Sequence, residues 1–353
     1  MRLLLAGDIR AVHLKRYIEY FKGRGHTTAS LSLEHDPHYP VDYQLNAPDI
    51  PAFIKYFNAL PDFKKAVRDF HPDLINCHFV PNYGMLGVLS RFHPLAVSVW
   101  GSDILISAQK TVIHKFKAKK ILRAADLVLT DAEMLTKACS RITANLKKIV
   151  TIPHGVENKY LELGKKRQIG ADKKLKIIST RQLEPLYRVG DFIRALGKLP
   201  GIEKNEIAII GQGSLLGKLR ETAVRYGFEE RIFRGQYPHD ELLSKLLDSD
   251  IYVSCSESDS TSVSLLEAMA CGCFPVVSDI EGNREWIQDG VNGLLFKVGD
   301  TTELNNKIER ARSDFELRRT AVEYNFNMIA QRAVWENNMA AVEREFVELA
   351  GRE

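Results

Sequence analysis

Residues 254–296 read SCSESDSTSVSLLEAMACGCFPVVSDIEGNREWIQDGVNGLLF. The apolar run Ile251-Tyr252-Val253 leads in, a Ser/Asp/Thr-rich turn follows, and an Ala/Leu/Met run leads on. The period thus changes from that of a strand to that of a helix. A helix N-terminus presents unpaired N–H groups and the positive end of the helix dipole, so such a junction is a place for an anion. The small side chains of Ser260, Thr261, Ser262 and Ser264 let an anion approach those amides closely. Asp259 in the loop and Glu267, a little over one helical turn inside, add two carboxylates. This combination suits a ligand with a phosphate and several hydroxyls, such as a sugar nucleotide. The alternative is a plain N-capped helix, with Asp259 or Ser262 capping and Glu267 solvated.

The same rhythm extends in both directions. Before residue 160, β-rich runs at Leu3–Ala6, Ala29–Leu33, Leu74–Phe79, Ala96–Trp100, Leu127–Thr130 and Ile149–Ile152 alternate with helical patterns. Beyond it the runs are Ile177–Ser179, Ile207–Ile210, Ile232–Phe233, Ile251–Ser254, Pro275–Ser278 and Gly293–Phe296. Strands alternating with helices predict parallel, doubly wound sheets, and therefore two Rossmann-like domains in tandem. The seam is expected near Pro153-His154-Gly155-Val156, followed by a basic, exposed linker from Gly164 to Lys176. The domains expected are 1–160, 161–327 and a C-terminal helix in 328–353, with Trp335, Met339, Val342 and Phe346 on one face. Between Glu34 and Pro61, repeated prolines predict a long structured loop or a set of short turns. It is equally a surface excursion or a wall for an acceptor.

The chain has 353 residues, 45% of them hydrophobic, which suits two domains with sizeable cores. A net charge of +4 is too small to argue for nucleic acid. No apolar run reaches the roughly 18 residues a membrane helix needs, and the opening MRLLLAGDIR reads as a first strand rather than a signal peptide. A cytoplasmic location is the expectation. Five dispersed cysteines fit buried, reduced thiols better than a disulfide framework or zinc site.

Ligands of doubly wound sheets sit beyond the carboxyl ends of the strands. Gly7, Arg10 and His13 follow the first strand, where a sharp turn brings a cation and an imidazole to phosphate or hydroxyl groups; His13 can equally cover the first helix. Asp103 follows the fourth, in Trp100-Gly101-Ser102-Asp103, and either orients hydroxyls or caps the next helix. Arg181 and Arg188 follow Ile177–Ser179, and an arginine pair can grip phosphate oxygens in bidentate fashion. Gly211-Gln212-Gly213 stands between strand and helix, where glycines admit a phosphate or ribose or simply make a tight turn. Asp248-Ser249-Asp250 has the DxD form of a metal site but lies between a helix end and a strand, a structural position. From Lys110 to Arg123 basic residues interleave with Ile113, Phe116, Ile121 and Leu122 and no acid. Such a helix lies on an anionic membrane or is a solvated face over a core.

The stretch around Asp259 resembles the donor-site signature of family-4 retaining glycosyltransferases of the GT-B fold. That family usually has two Glu separated by seven residues, with Gly-Phe-Gly-Leu after the first and Glu-Ala-Met-Ala at the second. Here Asp259 precedes Ser260-Thr261-Ser262-Val263, then Glu267-Ala268-Met269-Ala270, and the likeness runs on through Gly272, Pro275-Val276-Val277, Glu285 and Asp289-Gly290-Val291-Asn292-Gly293. The chain departs from the family at Asp259, at the serines replacing both glycines, at Trp100 where a His is common, and at Arg188, two positions beyond the common Lys. The resemblance implies two Rossmann-like domains facing a central cleft and transfer of a hexose-type sugar from a UDP or GDP donor with retention. Arg181, Arg188 and the amides of Ser262, Val263 and Ser264 would hold the diphosphate, Glu267 the ribose and Asp259 the sugar. The backbone near Ile232, in Arg231-Ile232-Phe233-Arg234-Gly235, would face the base. No metal or other cofactor is implied; the acceptor is a glycan, a lipid-linked carrier or a small molecule, with residues 110–123 contacting the inner face of the membrane. The alternatives are a catalytically inactive nucleotide-sugar-binding protein and a GT-B sugar-nucleotide epimerase.

Overall fold

A computed structural model describes residues 1–48, 52–168, 170, 174–228 and 232–351. The chain divides into two compact units: unit 1 gathers Met1–Pro153 and Met339–Glu353, and unit 2 is His154–Asn338. The first boundary therefore falls before residue 160.

Unit 1 runs β1 (Arg2–Ala6), α1 (Val12–Gly23), β2 (Thr27–Ser32), β3 (Tyr43–Gln44), α2 (Ala52–Asn58), α3 (Leu60–Phe70), β4 (Leu74–His78), α4 (Met85–Ser90), β5 (Leu95–Ser98), α5 (Ser102–Leu105), α6 (Val112–Ala124), β6 (Leu127–Thr130), α7 (Glu133–Ile142) and β7 (Ile149–Thr151). Its parallel sheet has the order β3-β2-β1-β4-β5-β6-β7. The proline-rich segment holds more regular structure than the expected loop, namely β3 and α2, and Pro61 opens α3 where a missing N–H costs nothing.

Unit 2 follows with α8 (Asn158–Lys165), β8 (Lys176–Ser179), α9 (Val189–Leu196), β9 (Glu206–Ile210), α10 (Leu216–Arg225), β10 (Phe233–Gly235), α11 (His239–Leu247), β11 (Ile251–Ser254), α12 (Val263–Ala270), β12 (Phe274–Ser278), α13 (Glu281–Arg284), β13 (Leu294–Phe296), α14 (Thr301–Ser313) and α15 (Phe315–Arg332); α16 (Trp335–Ala350) starts in unit 2 and belongs to unit 1 from Met339 on. Its sheet order is β10-β9-β8-β11-β12-β13, again parallel. Successive strand residues feed opposite faces: Ile177, Val253 and Val276 join one core cluster, Ile178, Tyr252 and Val277 another. Helices cover both faces, which is why these strands read as continuous apolar runs. α8 comes so near the end of α12 that a Cβ on Gly164 would stand 1.9 Å from the Ala270 carbonyl oxygen.

Two expectations are corrected. The basic segment after Gly164 is not wholly an exposed linker, because Arg167 reaches inward to the Ser249 carbonyl at 2.5 Å and the Asp250 carboxylate at 2.5 Å; Lys173 lies outside the described residues. The single final helix is two, α15 and α16, because Val156 bridges to Val334 and its amide donates to the Ala333 carbonyl at 2.8 Å. All five cysteines are buried and free.

Candidate functional site

In unit 2 the loops after β8, β9 and β11 meet at the carboxyl edge of the sheet. Ser262 precedes α12, and its own side chain does not cap the amides there. Its hydroxyl instead accepts from Arg181 Nη1 at 2.6 Å, as does that of Ser264 at 2.6 Å, and Arg181 Nη2 donates to Asp259 at 2.6 Å. The guanidinium also lies 4.3 Å from the centre of the Tyr187 ring. Arg181 is 8% exposed, so this cation is largely dry, and Asp259 offsets the burial that opposes its charge. Tyr252 reaches the same cluster, its hydroxyl 3.0 Å from that of Ser264. Arg181 and Asp259 are thus parts of one ion pair, with Val263 and Ser264 half-buried beside them.

Arg188 stands at the start of α9 with φ of +47°. Its Nε donates to Asp191 at 2.7 Å and its Nη1 to Glu257 at 3.5 Å, while Asp191 also accepts from Arg194. Arg188 therefore belongs to a separate acidic cluster.

Glu267 is buried on α12, its Oε1 3.4 Å from His239 Nε2. The Tyr160 hydroxyl lies 3.0 Å from His239 Nδ1 and 3.3 Å from its Nε2, and Glu157 lies 3.7 Å from Nδ1. Sequence reasoning missed His239 and Tyr160; a histidine opening a helix carries no distinctive spacing.

The glycine pair is explained by packing. A Cβ on Gly211 would stand 2.3 Å from the Arg181 carbonyl oxygen, and one on Gly213 2.4 Å from that of Leu183. These glycines bring the β9 loop against the Arg181 loop. Gly282, which sequence reasoning also missed, plays the same part under Asp259, where a Cβ would lie 2.5 Å from the Asp259 carbonyl oxygen and 2.2 Å from that of Ser260. Ile232 is buried in the core, leaving only its backbone for a ligand, and Arg231 lies outside the described residues. Asp250 accepts from Arg167 and the Lys176 amide, and Asp248 from Lys176 Nζ at 2.5 Å, so the DxD residues tie strand to helix.

In unit 1, Arg10 forms a two-pronged pair with Asp8 at 2.9 and 2.7 Å on the surface. Gly7 packs against His78 and Leu14. His13 meets Trp100 edge to face with ring centres 4.8 Å apart, and burial pushes its imidazole down to about 4. Asp103 is turned inward rather than toward a ligand: it accepts from the amides of Val80 at 3.1 Å, Trp100 at 3.1 Å and Ile104 at 3.0 Å. Burial raises its carboxyl to about 6 against those bonds. It organises the loop, the capping alternative in a more elaborate form.

Residues 2–132 match the family model described as glycosyl transferase 4-like, and residues 164–328 the model described as glycosyl transferases group 1. An uncharacterized glycosyltransferase of Methanocaldococcus jannaschii is 29% identical over 242 residues, 65% of this chain and 60% of its own length. The N-acetyl-alpha-D-glucosaminyl L-malate synthase of Bacillus anthracis is 23% identical over 70% of this chain and 67% of its own. Among solved structures, sucrose-phosphate synthase from Thermosynechococcus elongatus has a TM-score of 0.83 at 18% identity, covering 100% of both chains. HepE of Anabaena in complex with UDP-glucose has a TM-score of 0.80 at 19% identity, covering 99% of this chain and 100% of its own. At those identities the likeness is one of fold.

Proposed function

Because the chain belongs to the family-4-type glycosyltransferases of the GT-B fold, we propose that it moves a hexose-type sugar, with retention, from a UDP or GDP donor to an acceptor hydroxyl. The observation that carries this is the dry Arg181 guanidinium, bound by Asp259, Ser262 and Ser264 at the start of α12. A diphosphate leaving from that position gains negative charge where a fixed cation and the first amides of a helix already point, the largest single source of stabilisation in such chemistry. Ligand oxygens would replace the serine hydroxyls on Nη1, while Asp259 keeps Nη2 in place and offers its remaining lone pairs to the sugar. Glu267, backed by His239, would hold the ribose, and Arg188 would meet the outer phosphate on release from Glu257. The HepE complex with UDP-glucose supports a nucleotide-sugar donor.

The acceptor is a glycan, lipid-linked carrier or small molecule. With cations supplied by the protein, the reaction is expected to run without a metal. Among the described residues no helix is long and apolar enough to cross a membrane. α6, however, exposes Val112, Ile113 and Phe116 beside Lys115, Lys119, Lys120 and Arg123, and suits peripheral contact with the anionic inner face of a membrane from the cytoplasm. The test is calorimetry with UDP and GDP, then transfer from the matching donor sugar with and without chelator, with NMR of the product's anomeric coupling. An inverted product removes the retaining claim, and loss of activity restored by a divalent ion removes the metal-free one. Arg188, engaged by Asp191 and Glu257, favours the inactive binder as second reading; donor bound but neither transferred nor hydrolysed would establish it.

A further inference from the structure

The turn between β8 and α9, Glu184-Pro185-Leu186-Tyr187-Arg188, sets an aromatic ring beside two charged residues of the unit 2 site. Pro185 presets the first dihedral of a 3₁₀ turn, Pro185–Tyr187. Within it the Tyr187 amide donates to the Glu184 carbonyl at 3.0 Å and the Arg188 amide to the Pro185 carbonyl at 3.2 Å. The turn is tied down on two sides. Glu184 accepts from the Ser214 amide at 2.7 Å and the Ser214 hydroxyl at 2.5 Å, and the Leu186 carbonyl accepts from the Glu257 amide at 2.9 Å. Arg188 closes the turn at φ of +47°, a conformation that a non-glycine residue holds only where its surroundings enforce it, here through Asp191 and Glu257. Tyr187 is therefore mounted on a fixed arm, its ring half-buried against the core cluster of Ile177 and Val253.

The ring lies under the Arg181 guanidinium, whose Cζ stands 4.3 Å from its centre. The donors of a guanidinium all lie in its plane, and those of Arg181 point to Ser262 and Ser264 from Nη1 and to Asp259 from Nη2. Those bonds set the position of the cation within the plane. The ring sets the plane itself, because the electron-rich face of an aromatic ring attracts a cation, most strongly where water is excluded, and Arg181 is only 8% exposed. This division matters once a ligand arrives. When phosphate oxygens displace the two serine hydroxyls from Nη1, Asp259 is the one hydrogen-bonded anchor left, and a single anchor lets the guanidinium tilt. Tyr187 is the restraint that no ligand group replaces.

We propose that Tyr187 is a positioning residue for the transfer reaction: its ring holds the Arg181 guanidinium in the plane that meets the leaving diphosphate while the serine hydroxyls are displaced. The inference rests on the donor reading of the unit 2 site and names the residue that keeps its cation aimed.

The full chain is tested by calorimetry with UDP and GDP, which stand for the departing diphosphate, and by saturation-transfer NMR with the matching free nucleoside. Tyr187→Phe keeps the ring and should bind the diphosphate within about twofold of the wild type. Tyr187→Leu keeps apolar bulk without a π face and should weaken diphosphate binding about tenfold, leaving nucleoside binding within about twofold. In an Arg181→Ala background the same Tyr187→Leu change should alter diphosphate affinity less than about twofold, since its effect passes through the arginine. Pentafluorophenylalanine at position 187 preserves the shape of the ring and reverses its electrostatics, so this chain folds even where the leucine variant does not; it should bind the diphosphate at least fivefold more weakly than Tyr187→Phe. Equal diphosphate affinity in the phenylalanine and pentafluorophenylalanine chains, a loss of nucleoside binding as large as that of diphosphate binding, or an undiminished effect of Tyr187→Leu without Arg181 overturns the positioning role and leaves the ring as core filling. Failure of the wild type to bind either nucleoside diphosphate overturns the transferase reading instead.

Discussion

The edge of the unit 2 sheet and the cavity of unit 1 are built from opposite materials. In unit 2 the cations are paired with acids and hydroxyls: Arg181 has Asp259 and two serines, though its buried Nε has no hydrogen-bond partner among the described residues, and Arg188 has Asp191 and Glu257. In unit 1 the cavity is lined by aromatic rings, by the Glu34 carboxylate held by two tyrosine hydroxyls, and by His78, whose buried ring nitrogens have no hydrogen-bond partner among the described residues. A cation destined for a diphosphate must be held in place before the ligand arrives, because a buried unpaired charge is far costlier than a buried unpaired imidazole. The contrast is therefore one of charge: a paired cation in unit 2, and in unit 1 a carboxylate held by phenols.

The largest expected effect that would break this contrast is Arg181→Ala, which strips Asp259 of its cation. Transfer should fall about 10²–10³-fold, the usual loss for one transition-state donor, with nucleotide affinity reduced in calorimetry and circular dichroism unchanged; near-normal turnover would mean that unit 2 does not use its cation. Next is Gly282→Ala, which adds a Cβ 2.2 Å from the Ser260 carbonyl oxygen. Displacing that loop should cost about 1–3 kcal/mol in a thermal melt and weaken donor binding without altering any polar group of the site.

A third experiment turns on titration in unit 1. His13 and His78, lowered to about 4 and about 3, stay neutral when folded but take up protons once unfolded below their ordinary value of 6.5. Their contribution is present above pH 6.5 and is lost as pH falls toward 4. Asp103, raised to about 6 from 3.8, has the opposite sign: its contribution is present below 3.8 and is lost as pH rises through 6. Between pH 4 and 6 the net uptake on unfolding is about one proton, so stability should drop by about 1.4 kcal/mol per pH unit of acidification. Hydrogen exchange of the β4 and β5 amides at pH 7 and pH 5 reads this, and Asp103→Asn should steepen the slope. The smallest effect is Lys115→Ala on α6, expected to weaken co-sedimentation with phosphatidylserine vesicles about fivefold, since one basic residue near such a surface is worth roughly 1 kcal/mol.

The sheets were legible because strands buried on both faces leave unbroken apolar runs, as at Leu3–Ala6 and Ile251–Ser254. β3 was not, since two residues among prolines carry no period. Nor was the break between α15 and α16, which depends on Val156 pairing with a residue far along the chain. In unit 2, Asp259 and Glu267 were legible from their spacing and Arg181 from its place after a strand, though not the bond joining Arg181 to Asp259. The unit 1 cavity was illegible for the same reason in stronger form. Glu34 is held only when Tyr56 and Tyr83, separated in sequence, converge on it. Asp103, chosen as a carboxylate after a strand, faces amides because such a loop needs acceptors as much as a ligand does.

The close approach at Gly164 makes α12 a short strut. Its eight residues span about 12 Å. One end abuts α8 with no room for a methyl group, and the other carries the hydroxyls that grip Arg181. A side chain at position 164 has to displace α8 or α12, and a displaced α12 would carry Ser262 and Ser264 with it. Side chains of graded size at position 164 would then act as a throttle, lowering turnover in steps from a point remote from every group that meets the donor.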